Sequence, residues 1–298
     1  MQGALRIRQE REGWAIAPPP PLPLGALVRG RPAEEAAALL PRLFGLCAAA
    51  QGLAARLSLG LPVPSEAAAT LAREVLRDHL LALCHVLPRA AGLRLRPLPA
   101  GWQEGADVAP ALWGGARPGA LAPWLASGAG VAPLLARLDA LFGPAQGRAP
   151  VLPLAEAGTI DRPRPMENSP AGRHAAHPLM RQAEARAGRG PLWRALGRVL
   201  DAEAAGRGEL PAPVRRADGL AAVPAARGLY ALRLETAQGR VTDLVRLTPT
   251  DHMLAPGGPL RAALATLTVP GLAPLLVQLH DPCLPVEVGT DAPEATHA

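Results

Sequence analysis

Apolar residues recur at helical spacing over much of the first two thirds of the chain. The strongest pattern covers about residues 66–87, where one stripe repeats every four residues. The stripe consists of Leu71, Val75, His79 and Leu83. Ser65 is placed to cap this segment, and Pro88 is placed to end it. The pattern therefore predicts a long amphipathic helix with one buried face.

The remaining pattern predicts more helix and then, near the C-terminus, a β-hairpin. Between connectors rich in Pro and Gly, helices are expected at about 32–59, 120–142 and 191–205. Residues 229–235 alternate apolar and polar positions, residues 237–239 are typical of a turn, and residues 241–247 run back. The expected class is α+β, mostly α, with a helical core and a small late sheet.

The N-terminal segment differs from the rest of the chain. Residues 4–17 and 25–29 are predicted to be short strands on either side of the stiff run Pro18–Pro21. This contrast divides the chain into three parts. They are an extended N-terminal segment with a polyproline connector (1–30), a helical domain with a C-terminal hairpin (31–287) and a flexible tail (288–298).

The chain is basic, but its charge is not arranged for binding nucleic acid. It carries a net charge of +6, and all 31 of its Lys and Arg positions are arginines. These arginines are scattered, with no run longer than Arg215–Arg216, and aromatic residues make up only 3%. A nucleic-acid groove needs clustered cations and interleaved aromatic rings. We therefore expect no nucleic-acid partner, and a basic nucleic-acid-binding protein stays as a rival hypothesis that predicts salt-dependent binding.

Cysteine usage and hydropathy favour a soluble cytoplasmic protein. The three cysteines are too few and too scattered for a disulfide framework. No signal-like segment opens the chain, and its two longest uncharged stretches, about 118–136 and 262–280, are interrupted by Pro and Gly. We expect reduced thiols and no membrane partner.

Common catalytic motifs are missing from the sequence. It contains no P-loop, no dinucleotide-binding glycine motif, no HExxH motif and no CxxC pair. An unrelated enzyme is therefore the least favoured hypothesis. The isolated candidates for chemistry are Cys47, Cys84, Cys283, His79, His85, His174 and His177. Taken singly, each residue of these types is more often a buried or surface side chain than a ligand.

Taken in order, five segments of the chain resemble the large subunit of nickel–iron hydrogenases. The first, RLFGLC, is similar to the metal-binding motif RxCGxC and retains Arg42, Gly45 and Cys47. The last, DPCLPV, is similar to the C-terminal motif DPCxxC and retains Asp281, Pro282 and Cys283. The resemblance spans about residues 31–287 and implies a shortened large-subunit fold.

Three further segments lie between these two motifs in the same order. DHLLALCH is similar to the family's DHxxHFYH helix and retains Asp78, His79 and His85. PMENSPAGR is similar to PMExGPLAR and retains Pro165, Met166, Glu167, Pro170 and Arg173. The segment from Ala226 to Thr250 is similar to the family's PRG segment, hairpin and V-P-S/T strand, and retains Arg227, Gly228, Pro249 and Thr250. Five weak matches in one order are hard to obtain by chance.

The departures from the family pattern concern the metal ligands. Phe44 and Val286 replace two of the four metal-binding cysteines, and two family histidines are replaced by Gln51 and Gly289. The resemblance therefore implies two surviving metal ligands, Cys47 and Cys283. Two sulfurs are too few for a thiolate-rich nickel site. They are enough for a low-spin iron that brings its own cyanide and carbonyl ligands.

The resemblance also assigns residues around these two ligands. The expected surrounding residues are Arg227, Thr250, Pro249 and His79. Arg227 and Thr250 would donate hydrogen bonds to cyanide nitrogens, so Arg227 is expected to bind the iron unit together with the cysteines. Ala226 replaces the proline of the PRG segment.

A shortened large-subunit relative without half of the cysteines resembles the HupK-type hydrogenase expression/formation proteins. The resemblance implies a non-catalytic scaffold that transiently holds the iron dicyanide carbonyl unit, without nickel, before transfer. The implied partners are a small HypC-type maturation chaperone, the hydrogenase large-subunit precursor and other general maturation proteins. The alternative is a metal-free adaptor that mimics the large subunit to recruit maturation chaperones.

Overall fold

Helices form most of the fold from residue 24 to residue 206. The computed structural model describes residues 3–289. Its helices in this part are α1 (Leu24–Val28), α2 (Ala33–Leu39), α3 (Ala48–Leu59), α4 (Ala67–Leu81), α5 (Leu87–Ala90), α6 (Ala109–Trp113), α7 (Leu121–Ser127), α8 (Ala132–Phe142), α9 (Pro170–Arg173), α10 (Pro178–Ala187) and α11 (Pro191–Gly206). Three later helices are α12 (Pro249–Leu254), α13 (Pro259–Ala265) and α14 (Ala273–His280).

The strands form two small sheets. They are β1 (Leu5–Glu10), β2 (Gly13–Ala17), β3 (Val214–Arg215), β4 (Ala221–Ala225), β5 (Gly228–Ala237), β6 (Arg240–Leu247) and β7 (Val286–Gly289). One sheet has the order β2-β1-β7, and the other has the antiparallel order β3-β4-β5-β6. The predicted α+β class, dominated by helix, is confirmed.

The long helix predicted at 66–87 is confirmed. Helix α4 continues through a π-helical turn, Ala82–Val86, into α5, and its predicted stripe is buried. Pro88 does not end the helix as predicted, because the helix continues through it to Ala90. Its missing N–H leaves the Cys84 carbonyl free, and that oxygen accepts the N–H of Arg96 at 3.0 Å instead. Ser65 does not cap the helix, because its hydroxyl bonds to the side chain of Glu66 at 3.2 Å.

The late hairpin is also confirmed. Strands β5 and β6 pair from Ala231↔Leu247 to Ala237↔Arg240, with a register shift at Glu235/Thr236. Gln238 and Gly239 form the turn with φ of 52° and 74°. Two consecutive positive φ values match the twist that a two-residue hairpin requires.

Three predicted elements differ in the structure. The helix expected at 32–59 is interrupted at residues 40–47, between α2 and α3. Residues 24–28 form the helix α1 rather than a strand, with Leu24 and Val28 buried against the body of the protein. The helix expected at 120–142 is divided into α7 and α8, because Gly128 ends α7 with φ of 70°. A Cβ at Gly130 would lie 2.2 Å from the carbonyl oxygen of Leu112, so this bend requires glycine.

The two ends of the described chain meet in one sheet. Strand β1 lies between β2 and β7, and it buries Leu5 and Ile7 completely. Val288 and Gly289, assigned above to the tail, belong instead to β7, because they pair with Ile7 and Arg8. The rest of the expected tail, 290–298, lies outside the described residues. The division at residues 30 and 31 stays a prediction.

Helix α11 is the centre of the core. It is buried on almost every side and packs against α4, α8, α9, α10 and α14. Its buried charges have partners: Arg194 pairs with Glu167 at 2.9 Å, and Arg198 pairs with Asp281 at 3.0 Å. These pairs tie the helix to the segments that carry the family-like motifs.

Among the described residues, no single helix is long and apolar enough to cross a membrane. Helices α7 and α8 meet that test only when taken together, and they are bent by 105°.

Candidate functional site

Cys47 lies at the start of α3 in a strained backbone conformation. Its φ of 55° and ψ of 36° place it in the left-handed region, which is costly for a residue other than glycine. The following turn is held by Glu74 of α4, whose carboxylate accepts the N–H groups of Ala49 and Ala50 at 2.8 and 3.3 Å. A side chain from another helix therefore fixes the backbone that presents Cys47.

Cys283 is presented by a turn at the end of α14. Asp281 ends that helix with φ of 53°, again in the left-handed region. The N–H of Cys283 donates to the Thr250 hydroxyl at 2.8 Å. Thr250 lies in the first turn of α12, which begins with a capping box between Thr248 and Asp251. The Thr250 hydroxyl oxygen thus orients Cys283, as an acceptor.

The two cysteines, 236 positions apart in the sequence, line the same cavity. Its volume is about 40 Å³. It is lined by Phe44, Gly45, Leu46, Cys47, Gln51, Ala225, Arg227, Tyr230, Arg246, Thr248, Pro249 and Cys283. The fold therefore brings together four predicted site residues. They are the two ligands, Cys47 and Cys283, and two of the expected surrounding residues, Arg227 and Pro249. Thr250 reaches this group through its hydrogen bond to Cys283.

A larger groove meets the cavity at one wall. It has a volume of about 560 Å³ and shares Phe44, Arg246, Thr248 and Cys283 with the cavity. Its outer side is formed by residues 18–25, which include the polyproline run, and Thr250 lines it as well. The expected polyproline connector thus lies beside the candidate site.

Arg227 is the charged centre of the cavity. It follows β4, and its Nη1 lies 3.7 Å from Cys47 Sγ and 3.4 Å from Asp78 Oδ2. Its Nε lies 3.1 Å from Asp281 Oδ1. Burial lowers the pKa of Arg227, but Asp281, the two cysteines and Asp78 outweigh burial and raise it. Arg227 is therefore a permanent cation held against two carboxylates and one thiol.

Both thiols are protonated at neutral pH when no metal is bound. Burial, with a smaller contribution from Cys283, raises the pKa of Cys47 to about 12, although Arg227 opposes the change. Burial also raises the pKa of Cys283, against the lowering effect of Arg227. A soft metal that binds here must therefore displace the thiol protons.

His79 belongs to a different buried cluster and does not line the cavity. Its Nε2 lies 2.7 Å from Asp201 Oδ2. The same carboxylate accepts Arg173 at 2.7 Å and lies 2.8 Å from His174 Nε2. Burial raises the pKa of Asp201, but Arg173, His174 and His79 lower it well below its usual value.

The Asp201 cluster supports the backbone around Arg227. Nη2 of Arg173 donates to the carbonyl oxygens of Ala225 and Gly228 at 2.9 and 3.0 Å. These two residues flank the Ala226-Arg227 dipeptide. His79 therefore acts on the site only through Asp201 and Arg173, as part of the support for this turn.

Sequence reasoning missed Arg246, Tyr230 and the position of Phe44. The guanidinium carbon of Arg246 lies 4.5 Å from the Phe44 ring centroid and 5.6 Å from the Tyr230 ring centroid. An arginine in a strand that alternates polar and apolar residues is expected to face solvent. No local signal distinguishes Arg246 from its exposed neighbours, because the stacking depends on a loop about 200 residues earlier.

Val286 does not line the cavity, although it stands where the family has its fourth cysteine. Val286 is the first residue of β7, and it pairs with Leu5 of β1. It lines a separate surface pocket with Val277 and Pro282. The sheet that joins the two ends of the chain therefore holds position 286 outside the site.

The remaining single candidates have structural roles. Cys84 is buried in the core, as the helix pattern predicts. His174 contacts Asp201, and Nδ1 of His177 accepts the N–H of Leu179 at 3.2 Å. Within residues 3–289, no group of three or more His, Cys, Asp or Glu side chains is placed to hold a metal ion.

Comparison with known proteins identifies the family. No protein-family model matches the chain. The hydrogenase expression/formation protein HupK of Rhodobacter capsulatus is 51% identical to it over 287 residues, which cover 95% of each protein. The chain belongs to the HupK family. This family is therefore the one to which the large-subunit-like motifs point.

Solved structures show which fold this HupK-family chain has. A Ni-Fe-Se hydrogenase from D. vulgaris Hildenborough matches it with a TM-score of 0.59 and 13% identity, over 92% of this chain and 94% of that one. The enzyme from Desulfomicrobium baculatum matches with a TM-score of 0.60 and 12% identity, over 93% and 95%. The chain therefore has the fold of a hydrogenase large subunit.

Proposed function

We propose that this chain is a non-catalytic scaffold in nickel–iron hydrogenase maturation. It holds an iron dicyanide carbonyl unit as cargo between Cys47 and Cys283 before transfer to the hydrogenase large-subunit precursor. Its similarity to a hydrogenase expression/formation protein supports an accessory role in hydrogenase formation. The observation that carries the proposal is that the two family-type cysteines line one cavity together with Arg227.

The donor set suits such a cargo. Thiolates are soft ligands that favour iron, and two of them complete the coordination of an ion that already carries cyanide and carbonyl ligands. Arg227 donates to an anionic ligand, and Thr250 fixes the backbone of Cys283. Phe44 offers no donor atom, and Val286 lies outside the cavity, so no nickel is retained. Protonated empty thiols also suit a site that must release its cargo.

The proposal includes partners and a compartment. A small HypC-type chaperone delivers or receives the iron unit, and other general maturation proteins act in the same process. The chain works in the cytoplasm, where thiols stay reduced. Neither nucleic acid nor a membrane is a partner.

Substitution of either cysteine tests the metal-carrying function. In protein co-produced with the maturation enzymes, Cys47→Ser and Cys283→Ser should each abolish the infrared cyanide and carbonyl bands, because one sulfur cannot hold the unit. Cys84→Ser is the matched control and should retain the bands, because Cys84 lies outside the cavity. Full bands in both site variants would refute the proposal.

A metal-free adaptor is the second candidate function. Two observations favour it: the fold covers almost a whole hydrogenase chain, and burial keeps the Cys47 thiol protonated with a pKa of about 12. An adaptor would recruit maturation chaperones through its large-subunit-like surface. It predicts that wild-type protein shows no bands and that a Cys47→Ser/Cys283→Ser double variant captures the HypC-type chaperone as well as wild type does.

A further inference from the structure

Arg246 is the second cation of the cavity, and its environment differs from that of Arg227. It lies in β6, two residues before the capping residue Thr248. Its guanidinium group lies over the ring of Phe44 and, at a longer distance, over the ring of Tyr230. Such stacking fixes the position of a cation without neutralising its charge.

Polar atoms on this side of the cavity are buried without partners. By distance and angle, neither Arg246 Nε nor the Tyr230 hydroxyl has a hydrogen-bond partner among the described residues, although Arg246 lies close enough to Tyr230 to oppose the rise in its pKa that burial causes. Tyr230 is only 3% exposed. A buried donor without a partner costs free energy, so such groups in a cavity wall are typical of a site that a polar ligand completes.

The charge balance of the cavity depends on Arg246. Arg227 is already compensated by Asp78 and Asp281, and Arg198 shares the charge of Asp281. Glu74 adds a further carboxylate close enough to raise the pKa of Cys47. The carboxylates of Asp78, Asp281 and Glu74 thus neutralise Arg227 and Arg198, and neither arginine has positive charge left to balance two thiolates and two cyanide ligands. Arg246, in contrast, forms no ion pair with a carboxylate among the described residues.

We infer that Arg246 and Tyr230 form a second donor pair that binds an anionic ligand of the iron cargo. In this arrangement Arg227 serves one cyanide, and Arg246 with Tyr230 serves the other. Phe44 has a defined part as well, because its ring holds the guanidinium in place. The inference rests on the proposed function and assigns residues that the family-like motifs do not include.

Infrared spectroscopy of protein co-produced with the maturation enzymes tests this pair. Arg246→Gln should lower the iron content about tenfold, because a charge-assisted hydrogen bond is lost. Tyr230→Phe should retain the iron but shift one cyanide band and leave the carbonyl band in place. Arg246→Lys should restore part of the iron content. The matched control is Arg240→Gln, in the same strand, whose side chain bonds to Gly30 outside the cavity.

The outcomes separate this inference from the proposed function. Wild-type protein without cyanide bands would refute the proposed function itself. Wild-type bands together with unchanged iron content and frequencies in Arg246→Gln and Tyr230→Phe would refute only the donor pair. Thermal unfolding of each variant identifies a loss of fold, and Tyr230→Phe decides the question if Arg246→Gln does not fold.

Discussion

Two residues of the candidate site adopt backbone conformations that their side chains disfavour. Cys47 and Asp281 both lie in the left-handed region. Each such residue costs of order 1 kcal/mol, which the surrounding structure must offset. Glu74 holds the turn after Cys47, and Arg198 with Arg227 holds the Asp281 carboxylate. The site is thus preorganised by contacts from other elements before any ligand binds.

Thr250 gives a prediction at the scale of single residues. Thr250→Val keeps the shape of the side chain but leaves the Cys283 N–H without its acceptor. We expect the free energy of unfolding to fall by about 1–2 kcal/mol, the cost of an unsatisfied buried donor. Chemical denaturation measures this change. Thr250→Ser keeps the hydroxyl and should lose clearly less; equal losses would show that the hydrogen bond contributes nothing.

At the scale of elements, the short turn between β4 and β5 depends on three helices. The carboxylate of Asp201 in α11 forms hydrogen bonds with His79 of α4 and with Arg173 of α9. Arg173 then donates to the carbonyl groups on both sides of Ala226-Arg227. Ala226 replaces the proline of the PRG segment, so the backbone of this turn lacks the rigidity of a proline ring. The buried Arg173–Asp201 ion pair restrains the turn instead, through the hydrogen bonds of Arg173 to its carbonyl groups.

The contact between α11 and α9 gives a prediction at this scale. A Cβ at Gly197 would lie 2.3 Å from the Cα of Ala171, so the two helices approach too closely for any side chain. Gly197→Ala should lower the free energy of unfolding by about 1–3 kcal/mol, although alanine is the better helix former. Gly25→Ala in α1 meets no atom within 4 Å and is the matched control. It should be neutral or stabilising in the same denaturation experiment, and equal effects would contradict this packing.

At the scale of the whole molecule, the fold joins distant parts of the chain at one place. The sheet β2-β1-β7 links the N-terminus to the strand that follows Cys283. The polyproline run after β2 then passes along the groove beside the cavity. The cavity itself takes residues from the segment 44–51, from the hairpin and from the turn that carries Cys283. Its integrity therefore depends on the complete tertiary structure.

The buried His280 predicts how the stability of the whole molecule depends on pH. Burial, together with Arg194 and Arg198, lowers the pKa of His280 well below its usual value, and neither ring nitrogen has a hydrogen-bond partner among the described residues. The neutral form is thus favoured in the fold. Its contribution to stability is complete above about pH 6.5 and decreases as the pH falls below that value, by up to about 1.4 kcal/mol per pH unit.

Replacement of His280 isolates this contribution. The free energy of unfolding of His280→Leu should fall by about 1 kcal/mol less than that of wild type between pH 6.5 and 5.5. Denaturant titrations at the two pH values measure the difference. An unchanged slope in His280→Leu would show that this histidine is not the group that titrates.

The sequence alone determined the class of fold, the long helix and the hairpin, because their periodicity and turn residues act over a few positions. It also determined the family, because five motifs keep their order. Three features of the site became visible only in the folded protein: Cys47 and Cys283 share a cavity, His79 supports Arg227 from a distance, and Arg246 stacks on Phe44. The break between α7 and α8 and the position of Val286 outside the site were likewise set by packing and by strand pairing. Local patterns do not encode these features, because the contacting residues lie far apart in the chain and meet only when the core forms.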